Sequence, residues 1–322
     1  MTRWLTAETI NRLAADPARR TRPVLTPTVD PNRPFVPEHH TQLYYTPVYA
    51  SLHREHRLRY NQLFGLRINE FIMMLEADLI ERLLPPLRRH PRVAGDAALV
   101  QAIDTMIAEE RRHHAGFAAL NRACRPDLYP VGEDRFFSRL PPAQRAMFGV
   151  VGLLAGRLPF ALWFLMAMEE SALSFARDMA RHPETETLGR LDQTFIAVHL
   201  EHLKDETRHV HLDRLLIDAT IGAASRARRA VNARLFQAML PGITRPGRGG
   251  SGVKVIRRLV RDMPELGNRE EEMIAAVLAL KDDRVFQCSL FNRRIMPRSF
   301  AVFDGFADLA DLGTRMVGYD RH

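Results

Sequence analysis

The chain has 322 residues, of which 46% are hydrophobic, enough for a sizeable core and against global disorder. Its two cysteines, Cys124 and Cys288, exclude a disulfide framework and lead us to expect a reducing, cytoplasmic setting. The net charge of +8 and sequence pI near 10.0 favour acidic partners. The basic residues are scattered, however, and no zinc-finger spacing or recognition-helix pattern occurs, so nucleic acid is not the expected partner.

Along the chain, the first residues, Met1-Thr-Arg-Trp-Leu-Thr, lack the apolar run and small-residue cleavage site of a signal peptide. Residues 22–47 hold six prolines and read as an extended arm. Helical patterns follow over about 54–120 and, after a Pro-bearing connection at 125–142, over about 144–240. The most apolar stretch, Phe148 to Met168, is interrupted by Arg157 and Pro159. It predicts a buried helix rather than a membrane span of about 20 clean apolar residues. Pro241 to Gly252 reads as a flexible Gly-rich loop without the ending of a phosphate loop. Further helices are expected around 267–281 and 299–317. Alternating strand patterns are nearly absent. The expected fold is all-α: an N-terminal arm and helix over 1–53, a ferritin-like four-helix bundle over 54–225, and C-terminal helices over 226–322 packing on it as one domain.

One short motif occurs twice. Residues 109–113 read Glu-Glu-Arg-Arg-His and residues 205–209 read Asp-Glu-Thr-Arg-His. Glu110 with His113, and Glu206 with His209, stand at i and i+3, neighbours on one helix face. Two such pairs and one more glutamate from each of two other helices make a carboxylate-bridged di-iron or di-manganese centre in a bundle. Helical phase selects the two glutamates. Glu76 lies among Ile72, Met73, Leu79, Ile80 and Leu83, with Glu70, Asp78 and Glu81 assigned to the opposite, polar side. Glu169 lies among Leu162, Leu165, Ala172 and Ala176, with Glu170 turned toward Arg177 and Arg181. Four inward carboxylates would repel one another at several kcal/mol each unless cations neutralise them, and two divalent metals do so.

Glu109 and Asp205 precede the motif glutamates and are placed to accept a hydrogen bond from a ligand imidazole; ordinary salt bridging with Arg112 and Arg208 is the simpler alternative. His202, four residues before Glu206, is a further ligand candidate. Asp213, on the same face, is a candidate to orient a ligand or inner histidine. His199 and His114 read as core or neighbouring histidines. Phe117, Met168, Phe175 and Phe195 are pocket candidates that equally suit plain core.

The order Glu76, Glu110-x-x-His113, Glu169, His202-x3-Glu206-x-x-His209 resembles the di-iron N-oxygenases of the p-aminobenzoate N-oxygenase (AurF-like) family, over roughly residues 50–220. In that family a third histidine precedes the second motif, and His202 matches its place. The resemblance implies two iron ions held by these seven residues, with Glu170 as the alternative to Glu169. It also implies O2 as co-substrate, electrons from an external reductase, and transfer of oxygen to the lone pair of an amine, giving hydroxylamine, nitroso or nitro products in natural-product (antibiotic) biosynthesis. The amine is expected to be a free arylamine or an amino acid carried by an acidic carrier protein, and the enzyme a homodimer.

Other classes remain open at this stage: a di-iron hydroxylase or desaturase acting on carbon, a ribonucleotide reductase small subunit, and a non-enzymatic ferritin-like metal-binding protein. The tyrosines at 44, 45, 49, 60, 129 and 319 fall outside the motif-bearing stretches, which disfavours a tyrosyl-radical enzyme. The arm and C-terminal helices exceed what a minimal storage shell needs.

Overall fold

The computed structural model describes residues 4–22 and 26–319. They form an all-α, ferritin-like assembly. Among the described residues the only β pairing is an isolated bridge between Glu184 and Arg190, and no helix is long and apolar enough to cross a membrane.

Four helical segments make the bundle. Helix α1 (Ala7–Ala15) lies outside it. Helix α2 (Arg54–Met74) runs through a π-helical segment (Leu75–Ile80) into α3 (Glu81–Arg88). Then come α4 (Ala97–Cys124), α5 (Pro142–Leu154), α6 (Ala161–Arg181) and α7 (Gln193–Ile217). The sequence dictates where the long helices start: Asp96 accepts a hydrogen bond from Leu99 N at 3.0 Å and Asp192 from Phe195 N at 2.8 Å, satisfying amides that a helix N-terminus leaves free. Helix α2 packs on α4, α6 on α7, and α4 joins the two pairs through α7.

Apolar residues fill this bundle in two halves. On α4, Met106 belongs to one half and Phe117 to the other; on α7, Val210 and Phe195 divide in the same way. Between them each helix carries buried glutamate or histidine. A polar layer is thus enclosed by hydrocarbon above and below, which raises the cost of any uncompensated charge in it.

The outer elements depart from the expected picture. The stretch from Phe148 to Met168 is not one buried helix: it breaks at Arg157–Pro159, and α5 leaves Met147, Val150 and Leu153 exposed at 51, 52 and 85%. Proline lacks the amide a continuous helix needs. The Gly-rich run is not wholly loop either. It holds a helical turn at Pro241–Thr244 and leads into α9 (Ser251–Asp262), which follows α8 (Arg226–Met239). Val253, Val255, Ile256 and Leu259 bury one face of α9 against α2, an amphipathic pattern masked by the glycines before it. A Cβ on Gly252 would lie 1.9 Å from Gln42 Oε1, so glycine there serves close approach of α9 to the arm. Beyond α10 (Glu270–Ala279) and α11 (Arg284–Leu290), the helix expected over 299–317 is shorter. It is α12 (Pro297–Asp304), ended at Gly305 and followed by two single 3-10 turns.

The arm is a strap. Asn61 accepts the Phe35 amide at 2.8 Å and donates to Val36 O at 2.7 Å, while Gln62 donates to Pro31 O and Arg33 O. Phe35 stacks on Phe195 with ring centres 4.7 Å apart. Gly65 admits this approach, since a Cβ there would lie 2.9 Å from that of Phe35.

Because α9 and the 136–138 loop cover α2 from outside, Glu70 is not on a polar face as its helical phase suggests. It is fully buried and accepts hydrogen bonds from Tyr129 OH (2.6 Å) and the amides of Phe136 (2.9 Å), Phe137 (3.0 Å) and Ser138 (2.5 Å). Glu70→Ala would strand those four donors. We expect it to lower unfolding free energy by about 3 kcal/mol, read from denaturant midpoints; a change within about 0.5 kcal/mol, the range of ordinary surface substitutions, would contradict this role. Asp78 and Glu81 behave as expected of outward groups, pairing with Arg135 and Arg111.

Candidate metal centre

Each bundle element contributes to the polar layer. Glu76 comes from the π-helical segment between α2 and α3, where the turn is one residue wider than in an α-helix; such insertions recur at functional sites. Glu110 and His113 come from α4 and Glu169 from α6. Helix α7 gives His202, Glu206 and His209, at i, i+4 and i+7 of one face. All seven are at most 6% exposed.

Their ligand-type atoms converge in two groups, each within 4.8 Å: Glu76, Glu110, His113 and His202; and Glu110, Glu169, Glu206 and His209. Glu110 belongs to both. Glu206 also reaches across, its carboxylate lying 3.2 Å from His113 Nδ1, 2.9 Å from His202 Nε2 and 3.3 Å from His209 Nδ1. Glu110 lies 3.4 Å from His113 Nδ1 and 2.8 Å from His209 Nδ1. Both motif glutamates therefore sit between the groups.

Of these approaches only that between His209 Nδ1 and Glu206 has hydrogen-bond geometry. Both Glu76 oxygens, Glu110 Oε1, Glu206 Oε1 and His113 Nδ1 are buried without an aligned partner. Orphaned buried carboxylate atoms of this kind are costly and are what a bound cation satisfies. Four carboxylates against two divalent ions balance in charge, with the imidazoles neutral. The donor set of carboxylate oxygen and imidazole nitrogen suits iron, manganese or zinc. The residues therefore fit a pair of metal ions.

Protonation in the absence of cations shows the same strain. Burial, followed by repulsion from Glu110, pushes the Glu76 carboxyl well above its usual range. Burial alone would lower His113 and His209, but the surrounding carboxylates overcome it and raise both well above the ordinary histidine value. Burial and the neighbouring His113 hold His202 well below it.

The motif's preceding acids work across the pseudo-symmetry. His113 Nε2 lies 3.1 Å from Asp205 of the other motif, and His209 Nε2 lies 2.9 Å from Glu109. A carboxylate accepts from Nε2–H, which leaves Nδ1 of each ring with its lone pair toward the glutamates. Arg208, itself buried, donates to Glu109 at 2.5 Å and to Asp205 at 2.7 Å, and Arg112 lies 3.7 and 3.8 Å from the same two groups. Two arginines thus match two carboxylates, and the simpler salt bridging coexists with the imidazole contacts.

Other candidates fall outside this arrangement. Asp213 is buried, but neither oxygen has a hydrogen-bond partner, so it does not orient a histidine; burial drives its carboxyl well above the normal range. Glu170 makes no hydrogen bond or ion pair with Arg177 or Arg181, although its charge is felt at Arg177. It accepts the amides of Arg298 (2.9 Å) and Ser299 (2.7 Å) and thereby fastens α12 to α6. Both its oxygens are engaged there, while Glu169 lies in the polar layer. His199 is a satisfied core residue, bonded to Asn69 at 3.1 Å and ringed by Phe117, Phe175 and Phe195; burial lowers its pKa to about 3. His114 pairs with Asp134. Sequence reasoning missed Glu70, the π-helical segment and the crossing of the two motifs; only paired helix phases, which require the packed bundle, reveal the last.

A small cleft between α4 and α7, about 10 Å³ in volume, is lined by Thr21, His113, Gly116, Phe117, Val198 and His202. Phe117 alone of the four pocket candidates lines it. The p-aminobenzoate N-oxygenase AurF family model matches residues 6–246, about three quarters of the chain. No curated protein matches significantly.

Proposed function

The chain belongs to the p-aminobenzoate N-oxygenase family, and from that premise we propose that it is a di-iron monooxygenase that oxidises the nitrogen of an amine. The observation that carries this reading is His202. It adds a third imidazole to the four-glutamate, two-histidine set, on the group that also holds Glu76, Glu110 and His113. Manganese would suit the same donors. Iron is proposed because the family chemistry is oxygenation.

Two irons bound by Glu76, Glu110, His113, Glu169, His202, Glu206 and His209 would supply O2 activation. The balance is one amine, one O2, two electrons and two protons giving one hydroxylamine and one water. Electrons come from an external reductase. The chain's own part is positional. The hydrocarbon halves on either side of the polar layer keep bulk water out, strengthening its electrostatics. Asp205 and Glu109 fix the tautomers and orientations of His113 and His209. The cleft beside His113 and His202, with Phe117 as an apolar wall, is only about 10 Å³, room for one water, so an amine approaching on this two-histidine side would have to widen it. An arylamine, or an amino acid delivered by an acidic carrier protein to the net-positive chain, fits this reading. The exposed apolar side chains of α5 support a homodimer contact, and the cysteine content supports a cytoplasmic setting.

The test is product analysis. Iron-loaded protein, a chemical reductant and 18O-labelled O2 are incubated with a panel of arylamines and amino acids. The expected product carries label on nitrogen. Label found only on carbon would instead establish a di-iron hydroxylase and overturn the proposal.

A further inference from the structure

A second cluster of metal-binding side chains lies away from the bundle's polar layer. His39 and His40 are adjacent on a single 3-10 turn of the arm (Glu38–His40), and both direct Nε2 at one oxygen of Asp178 near the end of α6, at 2.8 and 2.9 Å. These three ligand-type atoms all lie within 4.8 Å of one another. The second oxygen of Asp178 is held by His182 Nδ1 at 3.0 Å.

The surroundings fix this geometry in advance. Glu38, next in the turn, accepts hydrogen bonds from Tyr49 OH (2.6 Å) and from Thr187 N (2.7 Å) and Oγ1 (2.6 Å). Tyr45 OH donates to His39 O at 2.8 Å. The His40 ring stands edge-on to Phe175 with centres 4.8 Å apart. The side chains of His39, His40 and Asp178 keep 43, 26 and 26% exposure, so an ion can enter and open coordination positions face solvent. Burial holds the His40 pKa below its ordinary value, favouring the neutral, ligating form of the ring. The cluster is separate from the candidate di-metal centre: Phe175, His199 and Phe117 pack in succession between His40 and His202.

We propose that His39, His40 and Asp178 form a site for a divalent transition metal, zinc being the best match, that staples the arm to the end of α6. Two imidazole nitrogens, one carboxylate oxygen and open solvent positions make a three-ligand zinc site. His182, on the outer oxygen, orients the carboxylate. The geometry alone also suits a hydrogen-bonded cluster with no ion, and the experiment separates the two.

Full-length, iron-loaded protein is dialysed against micromolar zinc buffered by a chelator, and zinc and iron per chain are measured together for the wild type and a His39→Ala/His40→Ala double variant. The expected result is about one more zinc per chain in the wild type at equal iron content. His182→Ala should keep that stoichiometry while weakening zinc binding roughly 10–100-fold. Should the double variant lose helicity, Asp178→Asn, which keeps shape and loses charge, is expected to lose the same zinc. Equal zinc in the wild type and in a folded His39→Ala/His40→Ala or Asp178→Asn variant, no zinc at micromolar concentration, or a zinc difference that tracks lost iron would each overturn the proposal.

Discussion

Glu110→Ala is expected to abolish stable iron binding at both positions and to reduce amine oxidation to background. The reason is its membership of both ligand groups; Glu206 is the other carboxylate that lies between them. The loss should exceed the roughly 10–100-fold that removal of an outer hydrogen bond costs a metal site. Stability gives a readout independent of turnover. Without metal, Glu110 repels Glu76 but is held ionised by His209 and His113, so each protein's iron-dependent shift is read against its own metal-free melt. Iron at about 100 times its dissociation constant should stabilise the wild type by about 2.7 kcal/mol for each site, and the variant by almost nothing. Thermal melts with and without iron measure both. A variant that keeps the full iron-dependent shift would remove Glu110 from the centre.

The second large effect is expected from the crossed acids. Asp205 stands beside Glu206 in sequence, yet its imidazole partner is His113, in the group with Glu76 and His202. Glu109 stands beside Glu110, yet it serves His209, in the group with Glu169. Asp205→Asn should therefore weaken the ion of the two-histidine group, and Glu109→Gln the ion of the one-histidine group, each by roughly 10–100-fold. X-ray absorption at the iron edge can tell them apart. At limiting iron, Asp205→Asn should retain iron with fewer nitrogen neighbours, and Glu109→Gln iron with more. The opposite pattern would mean that each acid acts on its own motif. Arg208 binds both acids, so part of each effect will pass through the shared guanidinium, and the double variant should be less than additive.

The bundle and its seven inward residues were legible because they depend on local rules. An i, i+3 pair on a helix needs no knowledge of the rest of the chain, and four lone carboxylates on apolar stripes imply compensation wherever those stripes meet. What depended on the packed whole was not legible. Glu70 and Glu170 looked outward by helical phase, but phase assumes one buried face, whereas α2 is covered by the 136–138 loop and α9, and α6 by α12. The π-helical segment at Leu75–Ile80 leaves no trace in propensity. Helix α9 hid behind a Gly-Ser-Gly start that reads as linker. Asp213 shares the ligand face of α7, yet no donor from another helix comes to meet it, and only the neighbouring elements could reveal that.

Iron content per chain tests the central claim most directly. Full-length protein produced with ample iron should hold about two irons per chain, and Glu110→Ala close to none at equal helicity. Wild-type protein that binds no iron, or that binds as much as a folded Glu110→Ala variant, would contradict a di-iron centre built from these carboxylates and histidines.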